Sequence, residues 1–166
     1  YEMFEQQTPH LLVKHELLVD SAGAGQWRGG LGVRTEFVIG SEKTQLVTFG
    51  DGDVKPAFGL LGGKSGTLNF IELARPDGSV YRTTSKDLVP SVPAGTIYLQ
   101  EAGGGGGYGD PRRRPADVVA QEVRDGVVSE AAARERYGVA LRVGTFDVDA
   151  LVTAALRRST RECDRE

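Results

Sequence analysis

The chain has 166 residues, of which 39% are hydrophobic and 26% are charged, and its 23 glycines are about twice the usual share for a globular protein. A net charge of −3, with both signs scattered along the chain, argues against nucleic acid and against an anionic membrane surface as partners. The sequence has no apolar run near the ~20 residues of a membrane span. It has one cysteine, Cys163, so we expect a soluble protein of a reducing, cytoplasmic compartment.

Short β-strands and tight turns are predicted for the first part of the chain. Four segments are predicted strands, because short apolar or alternating runs are bounded there by turn residues: residues 11–19, 33–39, 44–49 and 96–100. A hairpin is predicted where the Arg75-Pro76-Asp77-Gly78 turn joins residues 67–73 to residues 79–83. Residues 89–95, which contain two prolines, are expected to form an irregular connector.

Two histidines near the start of the chain raise the question of a metal site. The odd separation of His10 and His15 places them on opposite faces of a strand, so they are not expected to share an ion. We interpret both as surface or edge residues.

Two glycine-rich stretches dominate the sequence. In residues 20–32, either Trp27 caps the edge of a core and Arg28 pairs with a carboxylate such as Asp20, or the loop meets a ligand or a partner chain. In residues 102–111, five consecutive glycines form either a loose linker or a backbone held close against a neighbour. We favour the second interpretation, with a neighbour that includes another polypeptide.

Two glycine patterns look like nucleotide-binding motifs but fail their structural requirements. Gly63-Lys64-Ser65 lacks the earlier glycine of a P-loop, and a strand-like run follows it where a P-loop needs a helix. Gly104, Gly106 and Gly109 satisfy Gly-x-Gly-x-x-Gly, but prolines after them delay the start of a helix. The triple arginine at residues 112–114 is interpreted as a solvated or interface cluster, so nucleotide binding is not expected at either pattern.

Three helices are predicted after the glycine run. The first covers residues 115–124, and the second covers residues 130–137, capped by Ser129 and closed by Gly138. Asp147 is predicted to cap the third. Residues spaced three and four apart are expected to form one apolar stripe on that helix: Val148, Leu151, Val152, Ala155 and Leu156.

These elements predict an α+β fold, mainly antiparallel β with glycine-rich loops, followed by a short helical segment. The expected divisions are a β-rich module at residues 1–102, a Gly/Arg-rich connecting loop at 103–114, and a helical segment at 115–166 packed on the module. No Ser-His-Asp arrangement, carboxylate pair or cluster of metal ligands stands out, and Cys163 lies in a charged tail. The residues alone therefore predict no catalytic, cofactor-binding or metal-binding group.

Five stretches of the chain resemble the hydantoinase B/oxoprolinase family, in the same order and at similar spacing. They are residues 20–32, Gly59-Leu60-Leu61-Gly62-Gly63, residues 104–111, residues 125–129 and Arg136-Tyr137-Gly138-Val139. The resemblance covers nearly the whole chain and corresponds to the C-terminal part of that family's large subunit. Ala22 and Ala102 depart from the family pattern, which often has glycine and proline at those positions.

The resemblance implies a second, hydantoinase A-type subunit that binds ATP, with activation of a carbonyl or amide oxygen by phosphorylation. Some members of the family then hydrolyse a lactam or hydantoin ring. Others, of the acetone and acetophenone carboxylase type, attach bicarbonate-derived carbon to a ketone enolate. The catalytic residues that the resemblance implies belong to the N-terminal part of the B subunit, so none is carried over to this chain.

The leading hypothesis is a non-catalytic small subunit, split from a B-type subunit, of an ATP-dependent ketone carboxylase complex of the acetophenone carboxylase type. It would complete the fold of the larger B-type subunit. The alternatives are part of an ATP-dependent hydantoinase or 5-oxoprolinase, or a free-standing β-rich module that binds a small ligand. A complete enzyme ranks last.

The expected partners are a larger hydantoinase B-like subunit and an ATP-binding hydantoinase A-like subunit, with no nucleic acid and no membrane. The expected cofactors are ATP with magnesium, with a transition metal as a further option, all elsewhere in the complex and none in this chain. The residues expected at an interface or facing an active site lie in the two glycine-rich loops: Asp20, Trp27, Arg28, Gly104, Gly105, Gly106, Gly107, Tyr108 and Asp110.

Overall fold

The computed structural model describes residues 1–163. Its strands are β1 (Leu11–Leu17), β2 (Val33–Val38), β3 (Thr44–Phe49), β4 (Phe70–Ala74), β5 (Val80–Arg82), β6 (Lys86–Val92) and β7 (Ile97–Ala102). Its helices are α1 (Glu2–Gln7), α2 (Ala116–Arg124), α3 (Glu130–Tyr137) and α4 (Ala150–Cys163), with a 3₁₀ turn at Pro111–Arg113. The paired strands are antiparallel, which confirms the predicted α+β class. Within this part of the chain, none of the helices combines the length and apolar character that crossing a bilayer requires.

The described residues form two compact units. The first contains Tyr1–Leu18, Gly32–Pro56 and Leu68–Gly103, and the second contains Val19–Leu31, Ala57–Thr67 and residues 104–163. This division differs from the one expected from the sequence, because two loops between strands belong to the same unit as the helices. The end of the predicted helical segment, residues 164–166, lies outside the described part.

The first unit consists of two antiparallel sheets. One has the strand order β1-β2-β7-β4-β5, and the other pairs β3 with β6. Its core is formed by buried apolar residues from both sheets and from the end of β2: Ile39, Leu73, Val89 and Val92. The predicted hairpin is confirmed, since Ala74 of β4 pairs with Val80 of β5 and the Arg75 amide donates to the Ser79 carbonyl at 2.8 Å.

Two elements of the first unit differ from the sequence-based expectation. Residues 86–92 form strand β6, whereas an irregular connector was predicted from residue 89. The strand accommodates Pro90 because the β3–β6 register shifts at this point, and a proline without an N–H is tolerated at such an irregularity. Helix α1 was not predicted, since its N-cap residue Tyr1 makes no side-chain capping bond.

Helices α2 and α3 of the second unit agree closely with prediction. Ser129 accepts from the Ala132 amide at the start of α3, and Gly138 ends that helix in the left-handed conformation. The core of this unit consists of small and β-branched residues around one buried tyrosine: Ala24, Val119, Val123, Val128, Ala132, Ala133, Tyr137 and Val139.

Helix α4 packs differently from the predicted apolar stripe. Leu151 is 85% exposed, whereas Thr153 is buried and accepts from the Ala140 amide at 3.0 Å. Its cap is Asp149, whose Oδ1 accepts from the Val152 amide at 3.0 Å, and not the predicted Asp147. Hydrogen bonds to the chain before the helix therefore determine which face of α4 is buried.

Candidate functional site

Three glycine-containing segments of the second unit pair through their backbones and form what we call the glycine bundle: residues 19–31, 57–67 and 104–109. The Gly23 amide donates to the Gly105 carbonyl at 2.8 Å, and the Lys64 amide donates to the Ala24 carbonyl at 2.7 Å. The Gly107 amide donates to the Lys64 carbonyl at 2.9 Å. Each segment thus bonds directly to the other two.

The glycine run is required by close approach and not by unusual backbone angles. A Cβ atom on Gly104, Gly106 or Gly107 would lie less than 3.0 Å from a backbone carbonyl oxygen of another segment, and none of the three has a positive φ. The collagen triple helix uses glycine for the same reason, since only glycine fits where chains meet at an axis. The neighbour against which these glycines pack lies within this chain; their contact with another polypeptide stays a prediction.

Several backbone amides of the bundle donate to hydrogen bonds within it. The Lys64, Gly105 and Gly107 amides donate to carbonyl oxygens within the bundle, and the Gly104 amide donates to Thr67 Oγ1 at 3.2 Å. Phosphate cradles need free amides pointing at the ligand, commonly at a helix N-terminus. These four amides are therefore not available to a phosphate, and the absence of a nucleotide site at the two glycine patterns stays a prediction.

One face of the bundle carries a row of apolar side chains. Trp27 and Tyr108 exchange both backbone hydrogen bonds, at 3.0 and 2.8 Å, as an antiparallel pair. On its other side Tyr108 pairs with Leu60 in a parallel bridge. Residues directly opposite each other in such ladders point to the same face, so these three side chains lie in one row.

Two further apolar residues of the Leu60 segment, Phe58 and Leu61, are also exposed and were not among the predicted site residues. The five side chains, which we call the apolar patch, are exposed to the following extents: Trp27 65%, Phe58 74%, Leu60 53%, Leu61 75% and Tyr108 48%. The signal for the additional residues was present in the sequence as three large apolar residues among glycines.

An ion-pair cluster connects the bundle to helix α2. Glu122 accepts from Arg28 Nε at 2.7 Å and from Arg114, whose Nη2 and Nε lie 2.8 and 3.1 Å from its two carboxylate oxygens. Arg114 also donates to the Gln26 carbonyl at 2.9 Å. Arg28 therefore pairs with a carboxylate, as the first of the two interpretations predicted, but that carboxylate belongs to Glu122 and not to Asp20. Glu122 is detectable in the sequence as a charged residue on the apolar face of a predicted helix, three residues after Val119 and beside Val123.

The two predicted aspartates, Asp20 and Asp110, make hydrogen bonds within the second unit. Asp20, at a φ of +60°, accepts from the Ser129 amide at 2.9 Å through Oδ1, and its carbonyl accepts from Arg136 at 2.9 Å. Asp110 accepts from the Arg112 amide at 2.9 Å and caps the 3₁₀ turn. These contacts hold the ends of the bundle segments against the helices of the same unit.

Of the three consecutive arginines, Arg112 and Arg114 make hydrogen bonds within the second unit, whereas Arg113 is exposed. Arg112 donates to the Leu156 carbonyl at 2.6 Å, and Arg157 donates to the Arg114 carbonyl at 2.7 Å. Burial, reinforced by the positive charge of Arg112, lowers the pKa of Arg157.

A cleft in the first unit is lined by residues of both its sheets, and its polar groups bond to each other. Asp53 accepts from the Ser85 amide at 2.9 Å, and hydrogen bonds from Ser85 lower the pKa of that carboxyl. The Tyr98 hydroxyl donates to Gln100 at 2.9 Å, and burial raises the Tyr98 pKa. These groups have partners already, so the cleft offers no evident arrangement for a ligand.

The two histidines lie apart in the first unit. His15 bonds to the Tyr1 hydroxyl at 2.5 Å and to Thr35 Oγ1 at 3.0 Å, and His10 Nδ1 accepts from the Gly40 amide at 3.2 Å. Among residues 1–163 no group of three His, Cys, Asp or Glu side chains is arranged to hold a metal ion.

The glycine bundle lies in a region that matches a known protein family. Residues 1–111, which include all of the glycine bundle, match the family described as Hydantoinase B/oxoprolinase. The chain belongs to this family. The resemblance seen in the glycine motifs is thereby confirmed.

Relatives within the hydantoinase B family are much longer than this chain. It is 37% identical over 161 residues to the caprolactamase subunit beta of Pseudomonas jessenii, covering 94% of this chain and 27% of the relative. It is 26% identical over 203 residues to the acetone carboxylase alpha subunit of Xanthobacter autotrophicus, covering 97% of this chain and 25% of the relative. The crystal structure of the ATP-dependent caprolactamase from P. jessenii superimposes with a TM-score of 0.77 at 33% identity, covering 94% of this chain and 27% of that one.

The chain spans about a quarter of the length of the curated relatives it matches. It is homologous to the hydantoinase B-like part of subunits that belong to ATP-dependent caprolactamase and to acetone carboxylase.

Proposed function

We propose that this chain is a non-catalytic part of the B-type component of an ATP-dependent enzyme complex that opens cyclic amides. The observation that carries the proposal is the 37% identity to the caprolactamase subunit beta along 94% of this chain. Identity to the acetone carboxylase subunit is lower, at 26%. The proposal therefore places lactam hydrolysis ahead of the ketone carboxylation expected from the sequence.

The structure of the second unit supports a scaffolding role. The Gly105 and Gly107 amides, the Glu122 carboxylate and the Asp20 carboxylate have partners within this unit. A general base or nucleophile needs a side chain free to reach a substrate. In the predicted loops the Arg28 and Asp20 side chains instead hold segments of the second unit together.

The proposal includes two partner polypeptides, a larger hydantoinase B-like chain and an ATP-binding hydantoinase A-like chain. ATP with magnesium, and a transition metal as a further option, would bind to those chains. In the reaction the amide oxygen accepts the γ-phosphoryl group, ADP leaves, and water then opens the ring to release an amine, a carboxylate and inorganic phosphate. The contribution of the present chain is to complete the fold that positions these groups, and ATP use suits the cytoplasmic location expected from the sequence.

A second candidate function is ATP-dependent carboxylation of a ketone, of the acetone or acetophenone carboxylase type. The similarity to the acetone carboxylase alpha subunit favours it. The two candidates share their partners and their phosphorylation step, but they differ in the co-substrate: water for the hydrolase and bicarbonate for the carboxylase.

Isolation of the native complex separates these candidates. The chain would be tagged in its own host, its partners identified by mass spectrometry, and ADP release measured with ε-caprolactam, hydantoin or 5-oxoproline. Parallel assays would contain acetone or acetophenone with bicarbonate. We expect a hydantoinase A-like and a larger hydantoinase B-like chain to co-purify, and ADP release to depend on a cyclic amide.

Two other outcomes would contradict the proposed role in cyclic-amide hydrolysis. ADP release that depends on ketone and bicarbonate would establish the second candidate. A monomeric chain that co-purifies with neither partner, and that gains thermal stability from a small molecule alone, would instead identify a free-standing binding module.

A further inference from the structure

The apolar patch brings exposed apolar side chains together in the glycine bundle. Its five side chains, Trp27, Phe58, Leu60, Leu61 and Tyr108, are each about half exposed or more. Single exposed apolar residues are ordinary on protein surfaces, whereas contiguous apolar patches mark sites of interaction. Backbone pairing makes the central row contiguous, because Tyr108 bridges to Trp27 on one side and to Leu60 on the other.

The support beneath the patch is rigid. A Cβ atom on Gly25 would lie less than 3.0 Å from backbone atoms of Tyr108 and Trp27, and one on Gly63 less than 3.0 Å from Gly107. Backbone segments packed this closely have no flexible side chains between them. The patch is therefore a preformed surface, which reduces the entropy lost when a partner binds.

Leu61 adds an independent observation. Its φ is +49°, in the left-handed region that a branched apolar residue rarely occupies, and its side chain is 75% exposed. Asn or Gly would adopt this conformation at lower cost. A leucine here is unfavourable for the isolated chain both in backbone conformation and in solvation, and unfavourable conformations of this kind concentrate at functional sites.

We propose that the apolar patch is the surface on which the larger hydantoinase B-like polypeptide packs. This inference rests on the proposed function and identifies the contact through which that partner is held. The relatives carry about three quarters of their length outside the matched region, so they contain the polypeptide needed to cover it. The covering surface is apolar and includes hydrogen-bond acceptors, because Trp27 and Tyr108 are about half exposed or more, and the polar groups of Trp and Tyr usually find a partner when they become buried.

Oxidative footprinting of the native complex tests the proposal. Hydroxyl radicals would be applied to the purified complex and to the isolated chain, and oxidation of Trp27, Phe58 and Tyr108 compared by mass spectrometry. We expect strong protection of these side chains in the complex, because the packed core of an interface excludes water. Association with the B-like chain without protection would overturn the inference and leave the proposed function standing, whereas absence of association would overturn both.

Trp27 gives a second readout, since it is the only tryptophan in the sequence. Its fluorescence in the isolated chain should resemble that of exposed indole and should be quenched efficiently by acrylamide. Emission typical of a buried indole would show that the isolated chain covers the patch itself, and would overturn the inference.

A pair of matched variants separates binding from folding. Leu61→Asn removes an apolar contact while suiting the left-handed backbone, so the isolated chain should unfold at the same or a higher temperature. Recovery of the B-like partner with the tagged chain should nevertheless fall roughly tenfold, as for a residue inside an interface. The control is Val143→Asn, which changes a fully exposed residue of the same unit outside the patch. Equal recovery for the two variants would contradict the proposal.

Discussion

The Gly23 amide donates to the Gly105 carbonyl at 2.8 Å, so two segments far apart in the chain meet backbone to backbone. Backbones approach this closely only where the residues have no Cβ atom. Adding one methyl group should therefore destabilise the second unit at a glycine in such a contact, and should have little effect at a neighbouring glycine that has free space.

Gly29→Ala should destabilise the chain by about 3 kcal/mol or more, since it overpacks a site that cannot expand. The added Cβ would lie less than 3.0 Å from the Gly105 carbonyl oxygen. The adjacent Gly30→Ala is the control, because its Cβ would have nothing within 4 Å. It should change stability by less than about 0.5 kcal/mol. Denaturant unfolding of the two variants checks the difference, and equal effects would contradict the close packing.

Glu122→Gln should destabilise the chain by about 3 kcal/mol, since it leaves two guanidinium groups without their carboxylate in a largely buried site. Arg114 and Arg28 both contact Glu122, whose side chain is 10% exposed. Glu16→Gln is the matched control, because its pair with Lys14 is solvated at both ends and should contribute at most about 0.5 kcal/mol. Urea unfolding at low and high salt measures both, and a Glu122 effect no larger than that of Glu16 would refute the cluster's role.

Tyr137 should make the chain sensitive to alkali. Burial, and then the negative charge of Glu122, raises the pKa of its hydroxyl above the ordinary 10.0. The unfolded chain then loses this proton before the folded chain does, so stability is intact below pH 10 and falls as the pH rises through the folded pKa. Tyr137→Phe should flatten that decline in thermal unfolding measured between pH 8 and roughly pH 11. An unchanged slope would show that other groups, such as Tyr98, account for it.

The start of helix α4 provides a test that distinguishes structure from sequence pattern. Asp149→Ala should destabilise the chain by about 1 kcal/mol, because Asp149 caps the Val152 amide. Asp147→Ala should have little effect, since the contacts of Asp147 within the described residues run through its backbone. Thermal unfolding of both variants measures the two effects. A larger destabilisation by Asp147→Ala would show that Asp147 caps the helix, as predicted from the sequence.

Local signals predicted most of the regular elements. The Pro-Asp-Gly turn, the Ser129 cap and the Gly138 stop each act within a few residues, so the hairpin and helix α3 were recognised from the sequence. Strand β6 was missed because Pro90 is normally a strand breaker, and its tolerance depends on a register shift with β3 that no local pattern reveals.

The candidate site was predicted only in outline. The glycine loops were identified from composition, but the sequence did not indicate that they pack on each other, since that contact joins segments from three distant regions. The partner of Arg28 was wrong for the same reason: Glu122 lies far along the chain and meets Arg28 only in the folded unit. Which face of α4 is buried depended on the Thr153–Ala140 hydrogen bond, which hydrophobic spacing does not encode.

The order of synthesis constrains when the glycine bundle forms. Its third segment, residues 104–109, pairs with both earlier segments, so the Lys64–Gly107 and Gly23–Gly105 bonds form only after this third segment has left the ribosome. Until then the nascent chain holds two glycine-rich loops with few partners, and long-range closure of this kind slows folding. The bundle should therefore form after the β4–β5 hairpin, whose pairing needs only local closure.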